Sequence, residues 1–182
     1  MGSSASDMST RSYIGIELDD GRILGSYCHS DGYLTYNGAM LLDHYSGRAK
    51  VEKLVSLGDM ATLNERIDPN PDSVHSFEDR QEGVTVFYGR DRGEKGTEPK
   101  IVDLDDINSP DSWIEYCYVY GKDDKWRYFV CGQNEKPVFR DLKEGLDEEY
   151  RCLGFKRPMG YYGFYTKSDV ERLREKESEM GA

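Results

Sequence analysis

Side chains able to do chemistry gather at two places in this chain. The first is Tyr27–Tyr45, Y-C-H-S-D-G-Y-L-T-Y-N-G-A-M-L-L-D-H-Y, which holds two of the three histidines and one of the four cysteines. There His29, beside Ser30 and Asp31, could orient a polar ligand or exchange a proton near neutral pH, or it could be bonded into a turn. The second is Phe87–Glu94, where Arg90 and Arg92 lie between Gly89 and Gly93. Paired guanidinium hydrogen bonds there could grip a phosphate or carboxylate, or nearby Asp and Glu could neutralise both arginines. If His29, Asp31, Asn37, Arg90 and Arg92 converge, the ligand they suit is a small anion or nucleotide.

Cys28 beside His29 invites a nucleophile, with His29 or His44 as base, because a thiolate next to an imidazolium is reactive. On a strand, however, adjacent residues point to opposite faces, and a strand cysteine otherwise serves as a small core residue. Zinc needs ligands a few residues apart, and this adjacent pair is the only close one, so no metal or other cofactor is expected. A Gly-rich phosphate loop ending in Lys-Ser/Thr, a dinucleotide fingerprint, His-Glu-x-x-His and a nucleophile elbow are all absent. The expectation leans away from an enzyme and toward a binding protein.

The elements that must hold these residues follow from periodicity. Ser12–Leu18 alternates Ile14, Ile16 and Leu18 on one face, and Asp20-Gly21 predicts a two-residue hairpin loop that sets Leu18 opposite Ile23, Ile16 opposite Gly25 and Ile14 opposite Tyr27. His29-Ser30-Asp31-Gly32 is turn chemistry, Asn37 is a plausible cap for a short helix through Tyr45, and Arg48–Leu57 predicts a second helix stopped at Gly58. Residues 59–82, with Pro69-Asn70-Pro71, predict a long surface connection in which His75 is exposed. Gly83–Tyr88 predicts a strand closed by a charged loop at 89–93, and Ile101–Leu104 a short strand. Trp113–Tyr120 and Trp126–Cys131 predict a hairpin with Lys122 facing Lys125 and with Cys117 and Cys131 on different faces. Ser168-Asp169-Val170-Glu171 opens a terminal helix near Asp169–Ser178.

The expected fold is α+β: an antiparallel sheet built from two β-hairpins plus further strands, short helices packed on one face, and a C-terminal helical extension. Residues 1–10 read as a leader, with Met8 as a native start; residues 11–132 form the core domain and 133–182 the extension with its terminal helix. Neither a membrane span nor a secretory signal is visible, so the expected location is the cytoplasm.

The formal charge is −11, and residues 58–112 carry 14 acidic and 6 basic residues, hence −8 of it. Such a field disfavours direct contact with nucleic acid or membrane and suits a basic partner, although solvated loops give the same numbers. Asp103, Asp105, Asp106 and Asp111 are the acids expected at a partner surface. Tyrosine is in excess, 14 against 6 Phe, and its apolar body with a polar tip suits interfaces, so Tyr161 and Tyr162 join that surface as candidates.

Y-C-H-S-D-G-Y with N-G and L-L-D-H-Y in Tyr27–Tyr45, L-x-S-L-G-D-M at Leu54–Met60 and F-Y-G-R-D-R-G-E at Phe87–Glu94 resemble a family of small uncharacterised proteins of tailed bacteriophages and prophages. The resemblance spans about Tyr13 to Gly132; Pro69–Ser73 and the chain after Gly132 are less typical of it. It implies an accessory product acting in the infected bacterial cytoplasm on a host factor such as a defence protein, and it supplies no catalytic residues. A basic nucleic-acid groove on that host protein is a natural target for the acidic surface. The alternative is a small-molecule or nucleotide binder, or modest enzyme, acting on an anion.

Overall fold

The structure, a computed structural model, describes residues 9–154, 156, 157, 160, 162, 163 and 167–181. Two hairpins supply the long strands: β1 (Arg11–Glu17) with β2 (Ile23–Cys28), and β6 (Ile114–Tyr120) with β7 (Trp126–Val130). Shorter strands β3 (Met60–Thr62), β4 (Val86–Phe87), β5 (Lys100–Ile101) and β8 (Arg140–Asp141) extend them into one sheet of order β4-β3-β2-β1-β6-β7-β8, with β5 also paired to β2. The sheet is mixed rather than purely antiparallel, because β1 runs parallel to β6 and β2 parallel to β3. Strand periodicity identifies the strands without recording the direction of their neighbours. Here the chain leaves β2, crosses one face, and re-enters at Ile114 beside Arg11, the same end at which β1 began.

Both hairpins differ by one residue from the expected register, for one reason. Leu18 pairs with Arg22 across a three-residue loop whose last member, Gly21, is left-handed at φ +87°, so Ile16 faces Leu24 and Tyr13 faces Tyr27. Gly121 likewise pairs with Lys125, with Asp124 left-handed at φ +60°, so Tyr120 faces Trp126 and Cys117 faces Phe129. A three-residue loop ending in a left-handed residue matches strand twist as a two-residue loop does, and the Asp/Gly sequence does not separate the two. With the shift, Cys117 and Cys131 enter the same apolar cluster instead of opposite faces.

Alternation then gives the sheet two faces. On one, Ile14, Ile16, Tyr118, Tyr120, Trp126 and Tyr128 meet Leu34, Met40, Leu41, Val51, Leu54, Val55, Leu142 and Leu146. These last come from a π turn at Leu34–Gly38 and from helices α1 (Ala39–His44), α2 (Arg48–Ser56) and α5 (Leu142–Cys152), the last of which has no counterpart in the sequence expectation. The core and sheet thus continue past Gly132. Tyrosine hydroxyls tie this layer to its loops: Tyr118 donates to the Gly32 carbonyl at 2.6 Å and Tyr45 to that of Asn64 at 2.6 Å. Gly58 ends α2 as expected, at φ +85°, and a Cβ there would lie 2.1 Å from the Thr97 carbonyl oxygen.

The opposite face carries a smaller cluster, Ile23, Ile107, Ile114, Cys117, Val119, Phe129 and Cys131. Helix α4 (Leu104–Asn108) covers part of it through Ile107, where a strand over 101–104 was expected; β5 stops at Ile101 because Asp103 caps α4, accepting from the Asp105 amide at 3.0 Å. Two other expectations change. The 59–82 stretch contains β3 and buries Met60, Leu63 and Ile67, and the 89–93 loop is the short helix α3 (Tyr88–Arg92). The terminal helix, α6, runs Lys167–Met180. No helix among the described residues is long and apolar enough to cross a membrane.

Candidate functional site

The five residues expected at a ligand site separate into different environments. Asn37 is fully buried inside the π turn rather than capping a helix. Its amide donates to Ser12 Oγ at 3.1 Å and the Ser30 carbonyl at 3.3 Å, which pins the turn to β1, while its Oδ1 has no hydrogen-bond partner among the described residues. Asp31 holds a left-handed φ of +56° and accepts from the Tyr33 hydroxyl at 3.3 Å. Both are scaffolding for the corner that follows β2.

Arg90 is internally neutralised. Its guanidinium donates to Asp91 Oδ1 at 2.8 Å, to the Ile67 carbonyl at 2.6 Å and to the Thr85 carbonyl at 2.9 Å, and it lies over the Phe87 ring. Asp91 also accepts from the Phe87 amide at 2.8 Å and faces His75 Nε2 at 3.2 Å, with the His75 and Asp91 side chains only 2% and 4% exposed. His75 Nδ1 accepts from the Gln81 amide, so its proton sits on Nε2 and points at Asp91. His75, expected in an exposed loop, is therefore the buried clamp of residues 68–82. Arg92 stacks on Phe77 and pairs loosely with Glu94. Among the described residues, no hydrogen bond or ring contact of His29, Asp31 or Asn37 reaches Arg90 or Arg92.

Cys28 is a core thiol. It is fully buried, and burial pushes its thiol up to about 11; burial likewise raises Cys131 to about 12 and Cys117 well above the ordinary thiol range. All four cysteines are free and only Cys152 is exposed. A thiol reagent at mildly alkaline pH is expected to add once to the native chain and four times in denaturant, read by intact mass. Fast addition of a second label to native protein would contradict the buried assignment. Among the described residues no group of three or more His, Cys, Asp or Glu is placed to hold a metal ion.

His29 alone of the five leads to an open site, on the face away from the main helices. Arg11 Nε donates to the Tyr27 hydroxyl at 3.1 Å, and that hydroxyl meets His29 Nδ1 at 2.7 Å. With the Tyr27 oxygen accepting from Arg11, its own proton is free to be donated to Nδ1, and in that arrangement His29 carries its ring proton on Nε2. Burial first, then the Arg11 charge, lower the His29 pKa and so favour the neutral ring. Beside this relay lies a cavity of about 560 Å³ lined by Arg11, Tyr27, Ser112 and Trp113, within the usual size of ligand sites.

Trp113 is its unusual wall. It is 74% exposed and left-handed at φ +63°, a conformation that a bulky residue adopts only when its surroundings enforce it. The enforcement is visible: Ser112 Oγ donates to the Ile107 carbonyl at 2.7 Å and accepts from the Ile114 amide at 3.1 Å, and Asn108 is bonded to Gly132 and Glu135. No family model, curated protein or solved structure matches the chain.

The acids fall close by in the chain. Asp103, Asp105 and Asp106 are exposed at the start of α4 and Asp111 is exposed two residues before Trp113. Tyr162 is turned inward: its hydroxyl donates to Asp43 at 2.9 Å and so accepts from His44 Nε2 at 2.7 Å, while Arg157 grips both Asp43 oxygens. Tyr161 lies outside the described residues. Arg11 and Trp113 carried no motif; the one signal for Trp113 was Ser109-Pro110-Asp111-Ser112, a turn sequence that projects the next residue from the surface.

Proposed function

We propose that this chain is an accessory binding protein, of the kind its resemblance to tailed-phage proteins implies, that engages a basic host protein through an acidic surface with Trp113 at its centre. The observation that carries the proposal is the pairing of a braced, strained, exposed tryptophan with four exposed aspartates within eleven residues. Tryptophan is the residue type most enriched among binding hot spots, and a surrounding charge field sets partner sign and association rate. A basic partner whose ordinary ligand is nucleic acid fits that field.

The test is affinity capture from a bacterial lysate with mass-spectrometric identification. Wild type is compared with a variant carrying Asp105→Lys, Asp106→Lys and Asp111→Lys, leaving the Asp103 cap in place. The captured protein is expected to be basic, to dissociate as salt rises, to be displaced by duplex DNA, and to bind the variant about tenfold or more weakly. Capture that survives both salt and the triple reversal, or an acidic captured partner, would reject the proposal. Near-ultraviolet dichroism confirms that the variant keeps its fold.

A further inference from the structure

Arg11 is half-buried and forms no ion pair among the described residues, in a protein with 35 acidic side chains. Its Nε is bonded to a neutral hydroxyl, and Arg11 lines the same cavity as Trp113. A partly desolvated cation without a carboxylate is costly unless an anion completes it. The cavity thus offers a flat aromatic wall, a fork of unpaired donors and a phenol. The phenol is itself held by His29, which acts through Tyr27 as a positioning residue.

We propose that this cavity binds a small planar aromatic anion of the nucleoside monophosphate class, its ring stacked on Trp113 and its phosphate held by Arg11. Base-on-tryptophan stacking tolerates any base, because every base offers a π face, and the guanidinium fork matches two phosphate oxygens. The site does not depend on the acidic rim or on a protein partner, so it goes beyond the function proposed above.

Trp113 also provides the readout, since the other tryptophan, Trp126, is 5% exposed. Adenosine and uridine 5′-monophosphate titrated into the full chain are expected to quench tryptophan emission saturably. Adenosine alone should bind about tenfold more weakly, and inorganic phosphate should leave emission unchanged. Arg11→Gln should weaken the nucleotides about tenfold or more, with Arg11→Lys intermediate because it keeps the charge but loses the fork. Quenching that stays linear to millimolar nucleotide, or Arg11→Gln with unchanged affinity and native dichroism, would overturn the proposal. Should both arginine variants lose their fold, equal affinity for adenosine and its monophosphate would overturn it instead. In the Asp105→Lys, Asp106→Lys, Asp111→Lys variant nucleotide affinity should hold or rise while partner capture falls, so either proposal can fail alone.

Discussion

Trp113→Gly is expected to remove partner binding while leaving the fold within about 1 kcal/mol of wild-type stability, a combination that few tryptophan deletions show. Left-handed backbone costs a bulky residue about 1–2 kcal/mol, and glycine releases that cost. Against it stands the loss of the covered part of the indole. With 74% of the residue in solvent, that loss is at most about 1–2 kcal/mol by area, and less against a compact unfolded chain. The two terms nearly cancel. Binding has no such compensation: a central hot-spot tryptophan is worth about 2 kcal/mol or more, roughly thirtyfold in affinity. Trp126→Ala provides the contrast. Its ring is buried against Tyr120 and its Nε1 donates to the Tyr45 carbonyl at 2.9 Å, so about 3–5 kcal/mol of stability should go. Chemical denaturation of both variants beside the capture assay checks the pair; a Trp113→Gly protein that binds normally would remove Trp113 from the interface.

Asp91→Ala is the second large effect, expected to cost about 3 kcal/mol because it leaves the Arg90 guanidinium, the His75 Nε2–H and the Phe87 amide without their common acceptor. Its pH dependence has a definite sign. Burial opposes the Asp91 charge, but the Arg90 side chain and the Phe87 amide outweigh it and hold the carboxyl below its ordinary range. A carboxylate with a depressed folded pKa stabilises fully above its unfolded value, near 3.9, and loses that contribution as pH falls through the folded value. Urea unfolding should therefore show a constant gap between wild type and Asp91→Ala from neutral pH to about pH 5, narrowing below about pH 4. A gap unchanged at pH 3, or one below about 1 kcal/mol at neutral pH, would show that Asp91 is not the keystone of this cluster.

How much of this was legible before the structure depends on the range of the interaction. The two hairpins, α2 and its Gly58 stop are local, and their residues announced them. The register of both hairpins was missed because a loop of two or three residues closes with the same Asp and Gly chemistry. Parallel pairing of β1 with β6 is non-local and leaves no mark in periodicity. At the site, His29 was visible as a histidine beside a turn. Arg90 was visible too, but the Ile67 carbonyl it donates to, and the His75 that shares Asp91 with it, lie in a stretch that reads as surface loop and is anchored by buried Leu63 and Ile67. Trp113 was hidden for another reason: an aromatic residue at a strand start suggests packing, and only its positive φ turns it outward.

The pairing of Arg11 with Ile114 has a kinetic corollary. Arg11 opens β1 and Trp113 immediately precedes β6, so the two walls of the cavity are about a hundred residues apart in sequence and come together only when the parallel rung closes. Contacts of such high order form late and slowly compared with hairpins and helical turns. A chain still emerging from synthesis would carry a finished first hairpin and no binding site at all. Ligand-dependent quenching of Trp113 would then time the closing of the parallel rung, making the site a reporter of one long-range step in folding.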